Sequence, residues 1–265
     1  MPEGDTVFAT ATALRTALAG KRLSYTQFRV PRLATSDLSG RIVVAVRSRG
    51  KHLLIDVAGP YDGRPDVGAV SIHSHLKMEG AWHVYPVGRR WRRPGFQARV
   101  VLRTDDAEAV GFDLGILELS DDPDAALGHL GPDLLALDWD RDQAVRRIEQ
   151  RPDDPIGTAL LNQRLLAGIG NVYRSEICFL RGILPTRAVR DVDVPATVDL
   201  SRRLLWANRS RTARTTTGQT AAGARLWVYG RRGQLCRRCR TPIERGQLGS
   251  IGDDRVIYFC PGCQT

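Results

Sequence analysis

Long apolar runs are missing from this 265-residue chain. None approaches the ~18 residues of a membrane-spanning helix, so no helical span and no membrane partner is expected. The opening residues, Met1-Pro-Glu-Gly-Asp, lack the basic and apolar regions of a secretory signal, and a reducing cytoplasm is the expected compartment. No Ser-His-Asp arrangement, no nucleotide-hydrolase phosphate loop, no repeat and no low-complexity tract occurs. The five histidines, His52, His73, His75, His83 and His129, follow no ligand spacing. His73 and His75 share a strand face, where packing or hydrogen bonding accounts for them better than a metal. Lysine is absent from residues 201–265, where thirteen Arg oppose three acids, Glu244, Asp253 and Asp254. That balance of +10 equals the formal charge of the whole chain, so the first 200 residues balance at zero. Guanidinium forks match phosphate oxygens, and a basic face of this kind tracks a nucleic-acid backbone or is simply solvated.

Cysteine is nearly absent outside the C-terminus, where only Cys178 precedes four clustered ones. Cys236 and Cys239 form one C-x-x-C pair, and Cys260 and Cys263 the second, twenty residues later. Each pair offers two thiolates from one turn, with room between for a β-hairpin, which suits a closed structural Zn²⁺ site. Two disulfides or four unrelated thiols are the alternative, disfavoured by the missing secretory segment.

The periodicity predicts a helix over Thr6–Leu18, stopped by Gly20. Eight short β runs follow (22–30, 41–47, 52–57, 69–75, 81–85, 97–103, 110–114 and 116–119). Turn residues between them include Pro31, Gly40, Gly50, Gly59-Pro60, Gly63, Gly80 and Pro94-Gly95, as in a β-sandwich. Asp105 to Asp142 holds twelve acids and one base, Arg141, and is expected to be a solvated domain crossing. Helical periods then appear at 144–150, 156–165, 171–180 and within 196–211. The expected architecture is α+β: an N-terminal helix and eight-stranded β-sandwich (1–132), a helical domain (133–226) and a zinc ribbon (227–265).

Pro2-Glu3-Gly4 precedes the first helix. Removal of Met1 would expose a proline amine, with an ordinary α-amino pKa of about 7.7–8.0 that a helix N-terminus lowers. Such an amine can attack a sugar carbon and form an iminium, with Glu3 the nearest acid. Lys51, after the Gly50 turn, would point from a sheet edge into a cleft or lie on the surface. Gly168-Ile169-Gly170-Asn171 joins two helices by a tight turn. Its glycines permit close backbone approach, and the amides opening the second helix form an anion site.

Pro2-Glu3-Gly4, Arg49-Gly50-Lys51, Gly168-Ile169-Gly170-Asn171 and the terminal cysteines occur together and in this order. The whole chain thereby resembles the formamidopyrimidine-DNA glycosylase/endonuclease VIII family, most closely an actinobacterial endonuclease VIII-like branch beginning PEGDT. The resemblance implies a helix–two-turn–helix domain and a bifunctional DNA glycosylase/AP lyase of base-excision repair. Pro2 would be the Schiff-base nucleophile and Glu3 the adjacent general acid/base. Lys51 would contact the phosphate beside the lesion and serve β-elimination. Gly170 and Asn171 would bind DNA, and Arg255 would stabilise the phosphate departing in δ-elimination. Met78, flanked by Lys77 and Glu79, would enter the base stack as a wedge. Read without the resemblance, Met78 is equally a sandwich core residue.

Two departures qualify the resemblance. Thr6 stands where the family usually has Glu, and the Pro-Arg-Arg-Phe-Gly element is missing, with Phe112-Asp113-Leu114-Gly115 in its region. The latter, with a short Thr215–Tyr229 stretch, points to oxidised pyrimidines rather than 8-oxoguanine. The expected partners are damaged DNA and one structural Zn²⁺, with no small-molecule cofactor, in a monomeric, nucleoid-associated bacterial protein. A lyase acting mainly at abasic sites, and a non-catalytic DNA-binding module, are the rival readings.

Overall fold

The computed structural model describes residues 2–59, 68–249 and 255–265. Met1, Pro60, Gly63, Asp253 and Asp254 lie outside them. The described residues form two compact units. Residues 6–129, with Pro2, make the first; residues 130–265, with Glu3–Asp5, make the second.

Helix α1 (Gly4–Leu18) opens the chain. Its Val7, Ala11, Leu14 and Leu18 recur at helical spacing and are all buried in one core cluster. Eight strands follow in the first unit: β1 (Tyr25–Phe28), β2 (Ile42–Arg49), β3 (His52–Ala58), β4 (Val70–His75), β5 (Ala81–Pro86), β6 (Ala98–Arg103), β7 (Ala107–Phe112) and β8 (Ile116–Ser120). They pair antiparallel into two four-stranded sheets, β1-β6-β7-β5 and β2-β3-β4-β8. Phe28, Val100, Leu102 and Ala109 of one sheet share the core with Val43, Leu53, Ile55 and Ile72 of the other, which makes a sandwich.

Nine of the twelve acids of the acidic stretch are exposed, as the solvated face expected of it requires, and Glu108 is the buried exception. Glu108 is 3% exposed, accepts from Trp91 Nε1 at 2.6 Å and lies 2.6 Å from Arg103 Nη2. Asp113 pairs with Arg93 and Asp124 with Arg47. Glu108 on β7 is satisfied by its register partner Arg103 on β6, and the burial of that cross-strand pair has no local sequence signal.

The second unit carries α3 (Arg141–Glu149), α4 (Ile156–Leu161), α5 (Asn171–Arg181) and α6 (Val194–Asn208), after a short α2 (Pro123–Leu127) in the first. Helix α4 stops four residues before the end that periodicity predicts. Asn162 turns extended there, and its side chain accepts from Arg164 N–H. Gln163 then braces the turn, donating to Leu161 O and Ile169 O and accepting from Gly168 N–H. A hairpin, β9 (Glu244–Leu248) with β10 (Arg255–Phe259), lies between the two cysteine pairs, as their spacing suggested.

Candidate active site

Glu3 is fully buried. Its Oε2 accepts from Gly170 N–H at 2.6 Å and Tyr173 N–H at 3.3 Å, and its Oε1 from Val172 N–H at 2.7 Å. A carboxylate is thus seated on the positive end of α5, where unpaired amides and the helix dipole both favour it. Gly4 N–H adds a bond to Gly168 O at 2.9 Å. Glycine is required at 170: a Cβ there would come within 2.7 Å of Glu3 Oε1. These amides form the anion site expected of the helix start, and the chain's own third residue supplies the anion.

Asp5, Tyr173 and Arg214 extend this anchor, and sequence reasoning assigned none of them. Arg214 grips Asp5 with Nε at 2.8 Å and Nη2 at 2.5 Å, and its Nη1 lies 3.6 Å from Glu3 Oε1. Tyr173 donates its hydroxyl to Asp5 at 2.9 Å, and the Arg214 guanidinium stacks 4.6 Å above the Tyr173 ring. Burial beside Asp5 keeps the Tyr173 phenol protonated, its pKa pushed well above the usual range. Pro2, half-buried, precedes Glu3 by one residue.

Asn171 is nearly buried, and its side chain turns to the hairpin. Nδ2 donates to Val256 O at 2.6 Å, while Oδ1 accepts from Arg174. Arg174 is also fully buried and donates to Val256 O at 3.1 Å; burial lowers its pKa to about 10. Arg255 begins β10 and is exposed. The second unit therefore brings Glu3, Gly170, Asn171 and the strand of Arg255 together.

A second buried carboxylate does comparable work at the middle of α5. Glu176 accepts from Trp227, Val228 and Tyr229 N–H at 2.8–2.9 Å and from the Thr216 hydroxyl. Burial raises its pKa, and these four donors offset that. Trp227 in turn stacks on Phe179, with the Arg238 guanidinium over both rings.

The four cysteine sulfurs lie within 4.8 Å of one another, with Cys236–Cys263 at 3.8 Å and Cys239–Cys260 at 3.4 Å. A disulfide needs about 2.05 Å, so the pairs are not bridged. A tetrahedron with metal–sulfur bonds of about 2.3 Å has edges of about 3.8 Å, which the cluster fits. Cys178 is buried apart from them, its thiol pushed up to about 12 by desolvation.

In the first unit, Lys51 follows Gly50 (φ 58°) in the β2–β3 turn and is half-buried. His52 pairs in register with His75. His52 Nδ1 and His73 Nε2 are 2.8 Å apart, so hydrogen bonding, as expected, accounts for His73. Burial, with neighbouring cationic groups, lowers His52 to about 3 and His75 to about 4. His75 Nδ1 accepts from Lys77 N–H at 2.9 Å and holds Lys77 in the left-handed region (φ 52°). Met78 is 60% exposed, which removes the core reading; Lys77 and Glu79 beside it are also exposed.

Two family models match the chain: the formamidopyrimidine-DNA glycosylase N-terminal domain over residues 1–113, and the formamidopyrimidine-DNA glycosylase H2TH domain over 130–204. A Mycolicibacterium smegmatis protein named DNA-(apurinic or apyrimidinic site) lyase Nei2 is 51% identical, over 100% of this chain and 99% of its own length. Endonuclease 8 2 of Mycobacterium tuberculosis is 50% identical over the full length of both. A solved Lactococcus lactis Fpg, in complex with DNA containing an abasic site, shares the fold at a TM-score of 0.76 and 21% identity over both complete chains. By its two domain matches and its full-length likeness to these relatives, the chain belongs to the formamidopyrimidine-DNA glycosylase/endonuclease VIII family.

Proposed function

We infer that the chain is a bifunctional DNA glycosylase/AP lyase of base-excision repair, acting on oxidised pyrimidines through a Schiff base at Pro2. The observation that supports this best is the seating of Glu3. A residue one position from the N-terminal proline is buried on a helix start 167 positions away, which fixes the backbone beside the proposed nucleophile.

With Met1 removed, the Pro2 nitrogen attacks C1′ of an extruded nucleotide and the base departs with the bonding pair. Opening of the sugar ring transfers the C1′–O4′ electrons to oxygen and leaves an iminium between C1′ and Pro2. Glu3 is the adjacent group for proton transfer. Loss of a C2′ proton then expels the 3′ phosphate, and a further elimination expels the 5′ phosphate. Lys51 and Arg255 hold those two phosphates, Gly170 and Asn171 contribute to the backbone-binding surface, and Met78, with Lys77 and Glu79, fills the stack. Asp5 supplies, one residue earlier, a second buried acid where Thr6 replaces the usual Glu.

Cys236, Cys239, Cys260 and Cys263 would hold one Zn²⁺, which supplies rigidity and no chemistry to the reaction. The same reading keeps three domains (1–132, 133–226 and 227–265) in a cytoplasmic, nucleoid-associated monomer without a small-molecule cofactor. A second reading, a lyase acting mainly at abasic sites, draws on Thr6 and on the name of the M. smegmatis relative.

Borohydride reduction of the protein on abasic and dihydrouracil duplexes tests this. A covalent adduct on both is expected, and Pro2→Gly or retained Met1 should abolish or weaken it. An adduct on abasic DNA alone selects the second reading. Full incision by protein with a blocked terminus would refute both.

A further inference from the structure

Sheet β1-β6-β7-β5 has one end where three turns meet. Ala81 and Ala98, at the starts of β5 and β6, both pair with Phe112 at the end of β7. The turn carrying Met78, the turn at Asp113 and the segment Pro94–Gln97 therefore emerge side by side. Arg93 links them, donating to Glu79 O at 3.0 Å and to Asp113 Oδ2 at 3.3 Å, while Asp113 N–H donates to Gln97 O at 2.9 Å.

The segment before β6 is both basic and rigidly held. Residues 87–99 contain five Arg and no acid. Its backbone is pinned by Arg29 on Gly95 O at 3.2 Å and Arg99 on Phe96 O at 3.1 Å. Trp91 is locked by its bond to Glu108, by an edge contact with Phe112 and by the Arg29 guanidinium over its ring. On this fixed frame Phe96 is 79% exposed. Residues Arg90 to Gly95 line an open cleft of about 480 Å³. Among the described residues, Arg89, Arg90 and Arg92 form no ion pair with a carboxylate. A preorganised aromatic flanked by uncompensated guanidinium groups is what an unpaired base and its phosphates require.

We propose that the Arg89–Phe96 loop binds the undamaged strand of lesion-containing DNA. Phe96 stacks on the base left without a partner when the damaged nucleotide is extruded, and Arg89, Arg90 and Arg92 hold the adjacent phosphates. The assignment rests on the glycosylase/lyase reading and adds a second point of DNA binding beside Met78.

The test compares wild type, Phe96→Ala and an Arg89→Ala/Arg90→Ala/Arg92→Ala triple variant on a tetrahydrofuran-containing duplex and on the same strand alone. A 2-aminopurine opposite the lesion reports stacking. Phe96→Ala should weaken duplex binding about tenfold, with loss of 2-aminopurine quenching and single-strand affinity unchanged. The triple variant should reduce the salt slope on duplex by about 2–3, at roughly 0.9 for each phosphate no longer neutralised. Unchanged duplex affinity and quenching in Phe96→Ala, or equal losses on single strand and duplex, would overturn the assignment. Borohydride trapping of wild type separates the two levels: an adduct with an inert Phe96 removes only the role of the loop. A wild type that neither binds nor traps removes the enzymatic reading and the role of the loop together.

Discussion

Arg214 carries three obligations at once, to Asp5, to Glu3 and to the face of Tyr173. Its side chain is 13% exposed and that of Asp5 only 5%, so removing the guanidinium strands two carboxylates away from water. Breaking a buried pair from one side costs about 3–5 kcal/mol, more than the pair itself contributes. Arg214→Met should therefore lower the urea midpoint by an amount equivalent to about that range. An Asp5→Asn/Arg214→Met double variant, which removes one of the two stranded charges, should recover part of it. An Arg214→Met midpoint within error of wild type would show that the cluster is not held in this form. None of this network can be read from spacing, because Arg214 is 209 residues from its partner Asp5. What was legible at this scale was side-chain chemistry with a local rule: a glycine turn before Lys51, or two thiols three positions apart.

Strands bounded by turn residues and helices with a repeating apolar face were readable within a few residues. Strand β3 is predicted over 52–57 and found at His52–Ala58, and α5 over 171–180 and found at Asn171–Arg181. Boundaries set by a side chain were not, as Asn162 shows at the end of α4. Nor could the pattern reveal that β10 is clasped by α5 through Asn171, Arg174 and Ser175, whose hydroxyl accepts from Tyr258 N–H at 3.4 Å. That clasp makes the cysteine cluster matter beyond its own knuckles. Chelation with a thiol-compatible chelator should release one metal per chain, and the hairpin should lose amide protection. Affinity for abasic-analogue DNA should fall at least tenfold while the β-sandwich keeps its circular dichroism signal. Retained DNA affinity after complete metal loss would detach the hairpin from binding.

Over the whole chain, burial of ionisable groups sets how stability answers to pH. His52 and His75 titrate at about 3 and about 4 when folded, against 6.5 for an ordinary imidazole. Between those values the unfolded chain binds protons that the native protein refuses, so stability falls as pH drops from 6.5 toward 4. Glu176, raised by burial, acts with the opposite sign, and the histidine part must be isolated by difference. The thermal midpoint should fall between pH 7 and pH 5, and His52→Gln should flatten that fall. An identical slope in both proteins would mean that His52 is hydrated in the native state.

The docking of Glu3 onto residues 170–173 also sets a clock during synthesis. Ribosomes add about 5–20 residues per second, so the 167 positions separating Glu3 from Gly170 take on the order of ten to thirty seconds to appear. For that interval Glu3 has no helix start to dock on. Closure of the second unit around its earliest residues is thereby ordered by translation itself.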